Sequence, residues 1–142
     1  MNTEKTYYLF VYGSLLSGFR SPAYEYISRY FTLISPARIR GKLYDMGDYP
    51  AAVPCTDELF IKGELYLIKN ESEFSWALGQ LDDYEGVTPE PGEVQSYSRE
   101  LTTIYLEAKT INAWVYWYKG DIGNKPVVES GDILQYHQQK NN

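Results

Sequence analysis

Three carboxylates crowd one short stretch of the chain, Asp82, Asp83 and Glu85 in LDDYEG. Glu85 follows Leu81 by four residues, so on a helix it continues the apolar stripe that Leu78 and Leu81 begin, just before Gly86 turns the chain. A carboxylate in a partly apolar, tyrosine-lined cavity has a raised pKa and can act as a general base. Asp82 and Asp83 are expected to turn away from that stripe. Negative charge at a helix C-terminus opposes the helix dipole, and solvated surface is the plain alternative for all three. The residues alone leave both readings open.

The second candidate is VYGSLL, Val11 to Leu16, where the apolar run TYYLFVY is broken by Gly13 and Ser14. A path from strand through Gly-Ser into a helix bares consecutive backbone N–H groups, which suit an anion or a developing oxyanion. An ordinary turn explains the same residues. Arg99 has the chemistry to clamp a ligand carboxylate through its guanidinium fork. Tyr116, on a strand with aromatic residues on both faces, is expected to shape the same cavity. Nucleophile chemistry is poorly served: Ser14 lacks the second glycine of a G-x-S-x-G elbow, and the lone histidine, His137, sits in the polar tail. Cys55 has no basic neighbour in sequence and reads as a structural thiol. One cysteine and one histidine make no zinc set, and neither a P-loop nor a G-x-G-x-x-G run occurs, so no metal or cofactor is expected.

These groups need a scaffold, and the patterning outlines one. A first strand is expected over Thr6 to Tyr12, stopped by Gly13. Ser21-Pro22 reads as a helix start leading into AYEYISRYF. A second strand runs from about Ala37 to Met46 and ends in the loop GDYPAAVPC, and a third occupies Leu59 to Ile68, where Leu59, Ile61, Leu65 and Leu67 share a face with Gly63. Asn70 or Ser72 caps a helix with Phe74, Leu78 and Leu81 at helical spacing, broadened by Trp76 and Ala77. GVTPEPGE is a loop, YSRELTTIYLEA and TINAWVYWYK are the last strands, and SGDILQYHQQKNN offers a short turn and then frays. The order strand, helix, two strands, helix, two strands lacks regular βα alternation. It favours an α+β fold, a small mixed β-barrel with flanking helices.

At 142 residues the chain fits one domain, expected over 1–142 with about 6–137 structured. Fifteen tyrosines lift the aromatic share to 16%, suited to half-buried strands and cavity walls. A net charge of −6 opposes nucleic-acid binding and favours a small molecule or protein as partner. MNTEKTYY lacks the apolar core of a signal peptide, and no run approaches the ~18 apolar residues of a membrane span, so a cytoplasmic protein is expected, with no membrane partner. Oligomeric state is not legible.

Taken together, VYGSLL, GKLYDMGDYPA at 41–51, GELY at 63–66, LDDYEG at 81–86, YSR at 97–99, AWVYWY at 113–118 and SGD at 130–132 resemble the gamma-glutamylcyclotransferase-like superfamily, in its gamma-glutamylamine cyclotransferase type. The segments occur in family order and cover almost the whole chain. The resemblance implies the barrel fold, a substrate cradle at Tyr12, Gly13, Ser14 and Leu15, and Glu85 as general acid/base. It implies an enzyme that converts a gamma-glutamyl amine or amide to 5-oxoproline and free amine without metal or cofactor. Leu15 falls within the family's variation and leaves the substrate open. Two alternatives stand beside it: a non-catalytic member binding a small molecule or protein on the same fold, and a related acyl-transfer enzyme that trims a gamma-glutamyl group during biosynthesis of a specialised metabolite.

Overall fold

A computed structural model describes residues 6–12, 22–47, 50–85, 91, 97–133 and 135–136, with the side chains at 22–24, 84 and 85 excepted. Among the described residues, seven strands and two helices follow one another: β1 (Tyr8–Val11), α1 (Pro22–Tyr30), β2 (Phe31–Arg40), β3 (Lys42–Asp45), β4 (Pro50–Val53), β5 (Phe60–Ile68), α2 (Phe74–Glu85), β6 (Tyr97–Tyr105) and β7 (Thr110–Tyr118). A 3-10 turn at Glu71–Glu73 leads into α2, and the Asn70 side chain caps it by accepting from the Ser72 N–H.

Five strands close a barrel in the order β1-β5-β2-β6-β7, and β3-β4 form a separate two-stranded sheet. All barrel pairs are antiparallel except the closing one, where β1 and β7 run parallel with Leu9 beside Trp114. The expected mixed barrel with flanking helices is what the chain forms. Register assigns the wall two faces. Phe10 lies opposite Leu65 and Ile39 opposite Ile61, so these four share the inner face, all 1% exposed or less. Gly63 belongs to this face too. A Cβ there would sit 2.2 Å from the Val11 carbonyl oxygen and 2.5 Å from the Phe10 ring, so only glycine lets β1 close on β5. The outer face carries Leu9, Tyr66 and Tyr116, and α2 lays Ala77, Leu78 and Leu81 into the same core cluster.

Several boundaries differ from the sequence reading. The expected second strand is two: β2 starts directly after α1, and Gly41 separates it from β3. Pro36 masked the beginning of β2. The Lys62 N–H bonds Gly131 O at 2.8 Å, not β2. Arg38–Lys62, and by alternation Pro36–Glu64, are therefore non-hydrogen-bonded pairs, and the missing proline N–H costs no bond to β5. A register shift between Leu33 and Ser35 leaves both Leu33 and Ile34 exposed. The loop expected at GDYPAAVPC contains β4. Its Ala51 and Ala52 are fully buried, and small side chains let this hairpin lie close to the barrel. Trp76 does not broaden the buried stripe of α2. It is 54% exposed, two residues and thus more than half a turn from Leu78, and rests edge-on against Tyr30. The tail is fastened as far as it is described: Val128 N–H donates to Leu43 O at 2.7 Å and the Tyr136 hydroxyl to buried Asp45 at 2.7 Å. No helix among the described residues is long and apolar enough to cross a membrane.

Candidate active site

The outer face of β6 and β7 meets α2 through one carboxylate. Arg99 and Tyr116 are directly opposite in register and therefore point the same way. Arg99 donates from Nε to Asp82 Oδ1 at 2.8 Å and from Nη2 to Oδ2 at 3.0 Å, while the Tyr116 hydroxyl donates to Oδ1 at 2.8 Å. Asp82 thus accepts three bonds, two of them in the side-by-side fork that guanidinium and carboxylate form best. Both charges are largely withdrawn from water, with side chains 24% and 16% exposed. The hydrogen bond to Asp82 raises the Arg99 pKa above its ordinary value, against the opposing effect of burial. The Arg99 guanidinium also lies 4.8 Å from the centre of the Trp114 ring.

This arrangement corrects two expectations. Asp82 does not turn away from its surroundings; it ties α2 to two barrel strands. The Arg99 fork, expected to clamp a ligand carboxylate, is filled by Asp82. A usable signal was present: an arginine on a strand whose neighbours are aromatic needs a partner, and the nearby helix end offered three.

Tyr12 belongs to the same network. It is buried at the end of β1, and its hydroxyl donates to the backbone carbonyl of Tyr116. Tyr7, just before β1, packs edge-on against Phe74 at the start of α2 at 5.1 Å, and Asp82, two turns on, reaches Tyr116. Since β1 and β7 are parallel, α2 runs in the same direction as both. Glu85, the last residue of α2, follows Asp82 by three residues, about 4.5 Å further along the axis. Gly13, Ser14 and Leu15 lie outside the described residues, as do His137 and the Glu85 side chain. Of the site residues expected from sequence, Arg99 and Tyr116 are brought together through Asp82, and Tyr12 joins them through the Tyr116 carbonyl. Cys55 stands apart, half-buried, with its thiol 3.6 Å from the Asp57 carbonyl.

Beside the Asp82–Arg99 pair opens a cleft of about 420 Å3 between α2 and the barrel. Tyr7, Phe74, Leu78 and Trp114 line it, and the Trp114 indole N–H is held by the Thr6 carbonyl at 3.1 Å. Gly79 lies on its floor in the middle of α2, where glycine costs about 1 kcal/mol relative to alanine. A Cβ built there meets nothing within 4 Å.

Residues 9–135 match the model of a family described as "Gamma-glutamyl cyclotransferase, AIG2-like". The chain is 32% identical over 93 residues to the gamma-glutamylcyclotransferase family protein YtfP of Escherichia coli K12, a match covering 66% of this chain and 67% of that one. The solution NMR structure of Escherichia coli ytfP superposes with a TM-score of 0.61 at 27% identity, over 92% of this chain and 98% of that one. The crystal structure of YkqA from Bacillus subtilis superposes at 0.68 with 23% identity over 95% of this chain, which spans only 42% of the YkqA chain. By sequence match and shared fold, the chain belongs to the gamma-glutamyl cyclotransferase, AIG2-like family.

Proposed function

We propose that this protein is a gamma-glutamylcyclotransferase-type enzyme that releases 5-oxoproline and free amine from a gamma-glutamyl amine or amide. The substrate's own alpha-amine attacks its gamma-carbonyl, forming the lactam C–N bond, and the bond to the leaving nitrogen breaks. Glu85 takes one proton from the alpha-ammonium so that the free amine can attack, and gives it to the leaving nitrogen. It then takes the second from the new ring nitrogen, and that proton departs with the released amine as its ammonium. The backbone N–H groups of the Tyr12–Leu15 cradle hold the carbonyl oxygen as charge develops on it. A positioned base contributes about 10²–10⁴-fold, and folding the substrate into its cyclising geometry adds a proximity term. The nucleophile belongs to the substrate, so the protein's task is to orient the substrate and move protons. Arg99 and Tyr116 border the site by holding Asp82, one turn before the proton carrier.

The observation that carries this reading is the common anchorage of β1 and α2. Tyr12 bonds the Tyr116 carbonyl and Asp82 bonds the Tyr116 hydroxyl, so the strand that leads into Gly13 and the helix that ends at Glu85 share one fastening point on β7. Incubating the protein with a panel of gamma-glutamyl amines and dipeptides and assaying 5-oxoproline by mass spectrometry tests it. Release from at least one member is expected. Binding of the panel without any 5-oxoproline would leave a binding member of the family instead.

A further inference from the structure

The cleft beside Asp82 has a glycine where the fold asks for none. Gly79 sits in the interior of α2, and a Cβ built on it meets nothing within 4 Å among the described residues. Neither close packing nor a turn accounts for it. Gly79 is half-buried and lines the cleft, so any larger side chain there would stand at its wall.

The cleft also has a direction. It follows one stripe of α2, from Phe74 past Gly79 to Asp82, a run of about 12 Å, with Glu71 on the preceding 3-10 turn at its far end. One end is at the Asp82–Arg99 pair, one helical turn before Glu85. At the other end a second depression of about 650 Å3 shares Thr6, Tyr7 and Glu71 with it. Tyr7, Phe74, Leu78 and Trp114 form its apolar wall, and Thr6 and Ser75 line it beside the charged residues. The charged groups along it are Glu71, Asp82 and Arg99, and Arg99 is already committed to Asp82, which leaves the groove with an excess negative charge.

We infer that this groove is the subsite for the leaving amine, that it takes an extended apolar amine chain, and that Gly79 sets which chains fit. The inference rests on the gamma-glutamyl reading only for the word "leaving"; the groove's affinity for an alkylamine is independent of it. The chain lies against Trp114, Phe74 and Tyr7 with its body over Gly79. Anionic leaving groups are disfavoured by the excess charge.

Two measurements test this separately from the reaction. Hexylamine and methylamine are titrated into the wild-type protein and Gly79→Leu while the Trp114 indole N–H signal is followed by NMR. A saturable shift is expected with hexylamine alone, and it is lost in Gly79→Leu. That variant keeps or raises the melting temperature, as does Gly79→Ala by about 3 °C. In parallel, release of 5-oxoproline is compared for the N-hexyl and N-methyl gamma-glutamyl amides. The hexyl amide is expected to have the higher kcat/KM by about 10-fold or more, and Gly79→Leu to erase the difference while sparing the methyl amide. Hexylamine binding without turnover of either amide keeps the groove and removes the reaction. Equal turnover of the two amides, with no hexylamine shift in the wild type, overturns the inference and keeps the reaction. Unchanged hexylamine binding in Gly79→Leu overturns it as well.

Discussion

The two faces of the barrel wall are built on different physics. On the inner face Phe10, Ile39, Ile61 and Leu65 meet one another through apolar contact alone. On the outer face, where α2 covers β6 and β7, the Tyr116 hydroxyl and Arg99 both bond Asp82, and the Tyr12 hydroxyl at the end of β1 bonds the Tyr116 carbonyl. Apolar burial is non-directional and supplies most of the stability. Hydrogen bonds and ion pairs add less net free energy but specify position. The inner face therefore holds the barrel shut, and the outer face aligns the ends of β1 and α2.

Substitutions on the two faces should separate these roles. The largest loss of stability belongs to the inner face: Ile61→Ala removes a fully buried side chain and leaves a cavity, costing about 3 kcal/mol. Urea unfolding checks this, and the surviving folded fraction should keep its ligand affinity. Asp82→Asn comes next. It leaves a largely buried guanidinium without its counter-charge, at a cost of about 2 kcal/mol, read as a fall of several degrees in melting temperature. Unlike Ile61→Ala, it should also lower kcat in protein that remains folded, because the end of α2 loses its fork to Arg99. Combining Asp82→Ala with Tyr116→Phe should cost less than the sum of the two, since both remove the same bond.

The smallest effect lies at the surface pair of Lys119 and Glu100, 3.0 Å apart with both side chains more than 40% exposed. The hydrogen bond from Lys119 is the main cause that holds the Glu100 pKa below its ordinary value. A depressed carboxylate pKa stabilises the fold above the ordinary value, and that contribution is lost as pH falls through the folded one. With solvent screening it amounts to about 0.5 kcal/mol or less. Thermal melts of Lys119→Met and wild type should differ slightly at pH 7 and converge as Glu100 becomes protonated in acid.

Legibility in the sequence followed the same division between the two faces. Alternation exposed β5 because Ile61 and Leu65 are large and apolar at period two. β4 escaped because Ala51 and Ala52 carry little strand preference and prolines flank them. β2 escaped because Pro36 reads as a breaker, and its tolerance depends on which way its nitrogen faces in the register. At the site, Tyr12, Arg99 and Tyr116 could be named from residue type, but the bonds among them could not, since they join positions 17 to 104 residues apart. Asp82 was misread for this reason. Its helix alone suggested a solvated carboxylate, and its partners stand on strands that follow later in the chain.

The central claim is that Glu85 carries the proton while Asp82 only holds it in place, and one substitution tests it most directly. Glu85→Gln keeps the size of the side chain and removes its basicity. Its melting temperature and its affinity for a gamma-glutamyl amide should match those of the wild type, because Asp82 and the strand-end cradle are untouched. Formation of 5-oxoproline should fall by about 10²-fold or more, while exposed Asp83→Asn stays near normal. A Glu85→Gln protein that releases 5-oxoproline at close to the wild-type rate would contradict this account.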